Sequence, residues 1–475
     1  MHQAVLLGAL ALAVGSSPRT GLSLEDPLGW WLLLFEAVSA DMLPGTLPSA
    51  EENMVVDDAM LLPGFRDPAA FLSGRGIPPG EPLHLGTLSV AALGSTAAQV
   101  LTGDGETETR AGCTGRIHVD IMPQVFLDER LSLWTGSDEQ PPDFFTPFHE
   151  GVEKGRHLYV DWGYVRWEPS PISLSFGRIP QAWGPGRFTQ LILSDESPPL
   201  DMLRFDCRLG DAFTFTGLTA SVDSDSATFL AAHRIDLQPV AGLRIGLVES
   251  ILFSAKGLEL AYMNPFIPWY PVQWNERDDD NAFLGIDAAW RPFAGLETWG
   301  ELMIDDIQYE NDGNRPDKLG WTTGLAGAIP RAGLGCILEY TRIDRYVYSQ
   351  RRPCNYYLHH GAIIGSDLGP DADRVTLSLG SASTWPLSAI ATVDHTRHGE
   401  GTVQEGWPDS AQTGGTFPSG IVEYTTGAGM LLSWFPTDWL EAHGSIRNEW
   451  IRNADHVRGA SSSDLTSALE LVWTW

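Results

Sequence analysis

The chain has 475 residues, a formal net charge of −31, 19% charged residues and 10% aromatics, including 18 Trp. So acidic a chain lacks the clustered Lys and Arg that nucleic-acid binding needs. No apolar run reaches 18 residues, so no transmembrane helix is predicted, and although the length would suit two or three soluble domains, one barrel accommodates it.

Residues 4–14 form a short apolar core, and Ala11-Leu12-Ala13 offers a small-residue cleavage site. With no basic residue ahead of the core, 1–23 still reads as a secretory signal peptide. Residues 24–80 form a short helical lead-in: Asp26 can cap a helix that Pro27 opens, running through Trp30-Trp31-Leu32-Leu33-Leu34-Phe35. Asp67-Pro68-Ala69-Ala70 can begin a second helix. The four cysteines (Cys113, Cys207, Cys336, Cys354) show no C-x-x-C spacing. In an oxidising compartment they admit up to two disulfides in three connectivities, and isolated small residues on strands are the simpler expectation.

Residues 81–475 switch to strand periodicity. Leu440, Ala442, Gly444, Ile446 and Trp450 alternate with Glu441, His443, Ser445, Arg447 and Glu449; Glu297, Glu301 and Asp305 alternate with Gly300, Leu302 and Ile304. Period-two alternation marks half-buried strands. Short connections at 122–123, 169–171, 210–211, 239–242, 292–295, 330–333, 384–386 and 436–438, seven of them carrying proline, alternate with longer polar ones. The longer ones fall around 101–111, 135–156, 182–201, 223–227, 254–280, 310–316, 347–371, 399–419 and 454–462. Eight short and nine long connections join eighteen strands. Loop length sorted by side, with an even strand number, predicts an all-β transmembrane antiparallel barrel of the outer membrane. The last strand agrees: Leu469, Leu471, Trp473 and Trp475 share a face.

Between two strands lies Arg178-Ile179-Pro180-Gln181-Ala182-Trp183-Gly184-Pro185-Gly186-Arg187, running on through Leu191-Ile192-Leu193-Ser194-Asp195. Two glycines around a proline, bracketed by arginines, suit a loop folded into a polar enclosure. The structural residues of that plug and lumen are taken as Arg178, Trp183, Gly184, Pro185, Gly186, Arg187, Asp195, Arg204, Arg234 and Glu249. Asp206, Asp236 and Glu249 are the candidate carboxylate partners.

This stretch resembles the Trp-Gly-Pro-Gly…Leu-Ile-Leu-Ser segment of the Wzi-like capsule assembly family. So do Glu249-Ser250-Ile251-Leu252-Phe253 leading to Gly257-Leu258-Glu259-Leu260, Trp299-Gly300-Glu301-Leu302, and Glu339-Tyr340-Thr341-Arg342. The resemblance implies an eighteen-stranded outer-membrane barrel with a periplasmic helical element and a lumen closed by an inward-folded loop. It further implies a lectin-like, non-enzymatic role, holding capsular or exported polysaccharide at the cell surface.

Sugar recognition uses aromatic faces beside hydrogen-bonding groups. Tyr262, Asn264, Phe266, Trp269, Tyr270 and Trp274 in one loop, with Tyr356 and Tyr357 in another, are the polysaccharide-binding candidates. The alternative for each is packing of loop on loop. Asp278-Asp279-Asp280-Asn281 offers oxygens to calcium, but a solvated loop explains it better; His395 and His398, three apart on a strand, point to opposite faces. No metal, cofactor or catalytic residue is therefore assigned, and no G-x-S-x-G nucleophile motif occurs. The expected partners are polysaccharide and outer-membrane lipids, the expected state a monomer. The competing function is a porin or diffusion channel, which requires an open lumen.

Overall fold

The structure, a computed structural model, describes residues 83–85, 88–103, 106–135, 156–210, 212–223, 226–254, 259–276, 280–293, 295–307, 316–329, 334–382, 387–406, 415–437 and 440–474. The signal peptide and helical lead-in expected over 1–80 lie outside these residues. The strands are β1 (Leu88–Gly103), β2 (Glu106–Met122), β3 (Val125–Thr135), β4 (Arg156–Trp167), β5 (Ile172–Ile179), β6 (Leu200–Leu209), β7 (Phe213–Asp223), β8 (Thr228–Val240) and β9 (Leu243–Ser254). They continue as β10 (Asn281–Phe293), β11 (Leu296–Asp306), β12 (Lys318–Ile329), β13 (Leu334–Ile343), β14 (Ala372–Ala382), β15 (Leu387–His398), β16 (Glu423–Thr437), β17 (Leu440–Arg452) and β18 (Ser461–Thr474).

Each strand pairs antiparallel with its sequence neighbours, and β1 pairs with β18 from Ser95↔Thr474 to Thr102↔Ser467. The sheet therefore closes as an eighteen-stranded barrel, with Leu83–Leu85 added to the start of β1. Closure satisfies every ladder and leaves no edge to lipid. One of the expected long connections is short. Strand pairing continues to Gly103↔Glu106, leaving only 104–105 between β1 and β2, while 224–227 separates β7 from β8, within one residue of the expected bounds. The polar residues of 101–111 belong to strands: threonines such as Thr102 and Thr107 read as loop by composition yet are good strand formers in a hairpin. At the weakest expected turn, Pro123 and Gln124 do separate β2 from β3, and Gln124 takes a left-handed φ of 70°.

Alternation assigns the faces. Glu297, Glu301 and Asp305 are buried toward the lumen, as are Glu441, His443 and Arg447. Leu302, Ile446, Leu469, Leu471 and Trp473 are exposed on the outside. One register row, Leu325↔Leu338↔Leu377↔Val393, runs apolar and exposed across four strands. Such a belt is stable only against hydrocarbon. The four cysteines are free.

Leu377→Arg, within that belt, is expected to cost about 2–4 kcal/mol, whereas Ser461→Arg at the outer end of β18 is expected to cost about 0–1 kcal/mol. Urea unfolding in lipid vesicles measures both, and equal costs would contradict the belt's placement.

Candidate functional site

The connection 180–199, between β5 and β6, turns into the barrel. Trp183, Leu191, Ile192 and Leu193 are each at most 1% exposed. The backbone N–H of Trp183 donates to the Leu193 carbonyl at 2.8 Å, closing the excursion into a narrow loop. Gly184 sits at φ 127°, and a Cβ there would lie 2.5 Å from Oε2 of Glu301, so only glycine fits against the wall. Pro185 is buried beside it.

Carboxylates of the wall hold this irregular backbone. Glu339 on β13 accepts the N–H of Arg187 at 2.6 Å, the N–H of Phe188 at 3.0 Å and the indole N–H of Trp299 at 2.9 Å. Glu301 accepts the N–H of Leu191 at 3.2 Å. The Arg187 guanidinium bonds Glu297, which also accepts from Arg291 at 2.8 Å, and stacks 5.0 Å from the Trp299 ring. From β14, Arg374 donates to the Phe188 carbonyl and to Oγ1 of Thr189.

Other lumen arginines are similarly tied. Arg234 is forked between Asp236 (2.8 Å) and Asp287 (2.6 Å), and Arg204 bonds Asp206 (3.0 Å) and Gln181 (3.3 Å). Removing one partner from a buried pair of this kind typically costs about 3–5 kcal/mol.

Asp195 stays in the connection 180–199, where it is exposed. Two expected lumen residues lie elsewhere. Arg178 faces outward, because its neighbours Gly177 and Ile179 take the inward side of β5; it pairs with the outward Asp201 at 3.0 Å, and both are partly exposed. Glu249 also faces outward: Ser250, next along β9, points inward and bonds the Tyr357 hydroxyl at 3.0 Å. Alternation then puts Glu249 on the other side of the wall. There it accepts the N–H groups of Trp269 and Tyr270 and pairs with His233 at 3.1 Å.

Those donors open helix α1 (Trp269–Glu276), so the Glu249 carboxylate caps the helix N-terminus. The segment 259–276 thus lies along the outer wall over β7, β8 and β9. Trp269 packs 4.2 Å from His233, while Tyr262 and Trp269 join Ile251, Phe253 and Ala231 in one buried cluster. Phe266, 72% exposed, stacks 5.4 Å from the outward Phe215. A Cβ at Gly217 would collide with Pro265 at 2.7 Å, so the wall is shaped for this strap.

Three of the seven expected sugar-binding aromatics, Tyr262, Trp269 and Tyr357, are core. Tyr262 is fully buried and donates to Asp280 at 2.9 Å; Trp269 is 1% exposed and donates to the Asn264 carbonyl at 3.1 Å. Tyr357, fully buried, reaches inward to the Ile192 carbonyl at 2.9 Å, stacked on Tyr348, which bonds the Leu191 carbonyl at 2.6 Å. Loop-on-loop packing, the alternative for each residue, accounts for them. Asn264 is exposed, its Oδ1 accepting the Phe266 N–H at 3.1 Å, and Tyr270 is half-buried. The side chain of Trp274 lies outside the described residues. Tyr356 alone of the second group opens toward solvent, donating to the Gln404 carbonyl at 3.2 Å.

Tyr356, one of the expected candidates, lies on a surface whose arginines and Gln404 the sequence had not singled out. Connections 344–371 and 399–422 are clasped at the barrel mouth. Asp371 accepts the N–H groups of Gly401 and Ser419, each at 3.0 Å, and Arg345 donates to Glu405 at 2.9 Å. Arg351, Arg352, His360 and Gln404 are exposed on the same loops. Among the described residues no group of His, Cys, Asp or Glu is arranged to hold a metal. Asp280 and Asn281 are occupied with Tyr262 and with the Asn355 carbonyl.

Residues 84–464 match the sequence profile of the family described as capsule assembly protein Wzi. The chain belongs to that family. Among solved structures, the Wzi outer membrane protein of Escherichia coli, described as a carbohydrate-binding β-barrel involved in group 1 capsule assembly, superposes with a TM-score of 0.56 at 13% identity. The alignment covers 99% of this chain and 97% of that one. OccK1 (OpdK) of Pseudomonas aeruginosa reaches 0.50 at 10% identity, over 81% of this chain and 98% of its own. No curated protein matches in sequence. At these identities the likeness is one of fold, and this Wzi-family chain is an outer-membrane barrel.

Glu339→Ala is expected to speed amide exchange across 184–193 at least tenfold while β13 exchanges as before; unchanged exchange would mean the carboxylate does not hold the segment. A second expectation concerns His359 in connection 344–371. Burial lowers its pKa from 6.5 to about 4, even though Nδ1 faces the Val222 carbonyl at 2.8 Å. Its neutral form is the folded one, so its contribution is complete above about pH 6.5. That contribution is lost as pH falls from about 6.5 toward 4, where only the unfolded loop gains the proton. Exchange of 356–363 should rise across that window in wild type and less in His359→Phe; an equal rise in both would contradict the assignment.

Proposed function

We propose that this barrel binds capsular or exported polysaccharide at its outer mouth and holds it at the cell surface, without catalysis. The supporting observation is the filled lumen. An inward segment bonded to three wall glutamates at membrane depth opposes diffusion through the barrel, which leaves the clasped outer loops as the working surface. Family membership points the same way.

The mouth offers the mixed chemistry that sugars need. Tyr356 gives an aromatic face, Gln404 and His360 give hydrogen-bonding groups, and Arg345, Arg351 and Arg352 give cations for an acidic polymer. The arginines answer the difficulty of a −31 chain meeting an anionic glycan. Tyr262, Phe266 and Trp269 have no part in this surface, since they are spent on the outer wall. The barrel is taken to work as a monomer among outer-membrane lipids.

Retention of capsular polysaccharide by the purified protein tests the reading. Wild type should retain it, and Tyr356→Ala with Arg351→Ala should lose at least tenfold in affinity while keeping the folded barrel's migration in unheated gels. Phe266→Ala should retain as wild type does. No retention by wild type, or equal loss in the Phe266 variant, would contradict the assignment.

A further inference from the structure

The outer face of β13–β17 carries a second polar feature, separate from the mouth. Cross-strand register places Arg342↔Asp373↔Arg397↔Tyr424↔Arg452 in one row around the barrel. Every member points outward, since Glu339, Thr341, Asp394 and Arg447 take the lumen side of their strands. The row lies at the strand ends that lead into the long connections, which is the outer-leaflet side. Immediately below it comes a row of Tyr340, His395 and Trp450, and below that the apolar row of Leu338, Leu377 and Val393. The arginines therefore sit where hydrocarbon gives way to headgroups.

Arginine is costly beside a bilayer unless something there answers its charge. Two of the three have an acidic neighbour: Arg342 bonds Asp344 at 2.8 Å and Arg397 bonds Asp373. Arg452 is exposed, and its guanidinium lies 4.9 Å from the Tyr424 ring. It has no carboxylate partner among the described residues. In a chain with 61 acidic against 30 basic residues, three arginines on alternate strands of one face are an exception to the overall charge. Adjacent strands lie about 4.8 Å apart, so Arg397 and Arg452 stand roughly 10 Å apart with Tyr424 between them. Long side chains at that spacing can close from both sides on one group of oxygens.

We propose that this row is a binding site for the phosphate of an outer-leaflet glycolipid. Arg452 forks onto the phosphate oxygens, and Arg397, whose Nε and one Nη are held by Asp373, adds its other Nη from the far side. The Tyr424 phenol donates from beneath, Trp450 packs on the sugar–acyl junction, and the acyl chains run down the apolar rows. Arg342, held by Asp344 and 3.6 Å from the Phe417 ring, extends the positive edge toward the 399–422 connection. The site thereby fixes the barrel's rotation and depth beneath its mouth loops.

The test is native mass spectrometry of the full-length detergent-solubilised barrel. The probes are a bis-phosphorylated acylated glucosamine disaccharide, its dephosphorylated counterpart and inorganic phosphate. Wild type should retain the phosphorylated lipid at least tenfold better than the dephosphorylated one. Arg452→Ala, which strips no partner from a carboxylate, should remove most of that preference, and Arg452→Lys should keep part of it. Inorganic phosphate at the lipid's concentration should displace nothing. Equal retention of both lipids, an unchanged preference in a folded Arg452→Ala barrel, or displacement by free phosphate would each overturn the proposal.

Discussion

A stretch of irregular backbone inside a membrane barrel has no water to satisfy its N–H groups, and in this protein the wall supplies the acceptors. Glu339 and Glu301 take three amides of the inward segment, and Glu297 takes the guanidinium of Arg187. Non-helical backbone at such depth is tolerated only when protein surrounds it. The partner tyrosines complete the arrangement from above, with Tyr348 and Tyr357 bonding the Leu191 and Ile192 carbonyls. The wall, the inward segment and the outer loops thus form one hydrogen-bonded unit, and the division of labour between lumen and mouth follows from it.

The outer wall repeats the same solution on the opposite face. Glu249, on the lipid-facing side of β9, would be an uncompensated charge against hydrocarbon. Helix α1 lies over it, offering two backbone donors and the Trp269 ring, while His233 pairs with it from the next strand. The strap's aromatics then take the place of lipid against Ile251 and Phe253. Loop length that the sequence presents as a generous external loop is used to cover one polar position on the wall.

The barrel itself was legible because lipid imposes period two on every strand and sorts the connections. Leu440 to Trp450 and Glu297 to Asp305 alternate in the structure as they do on paper. Where the reading failed, it failed for want of partners. Arg178 and Glu249 are charged residues near a plug, and composition alone invites a lumen assignment; only their register against Ile179 and Ser250 puts them outside. Tyr262, Trp269 and Tyr357 are aromatic residues on loops, but their hydroxyl and indole groups are spent on Asp280, Asn264 and Ile192. A sequence shows which residues are suited to a sugar, not which have already been used to hold a loop. Arg345, Gln404 and Asp371 were missed because the clasp joins residues 30 to 60 positions apart, which leaves no local pattern.

The obstruction of the lumen is the claim on which the binding role rests, and current through single barrels in a planar bilayer measures it most directly. Wild type should show no steady open-channel current, while a chain lacking 182–192 should conduct in stable ohmic steps. Equal, steady conductance from both would show that the inward segment does not close the barrel, and the account given for its outer mouth would fall with it.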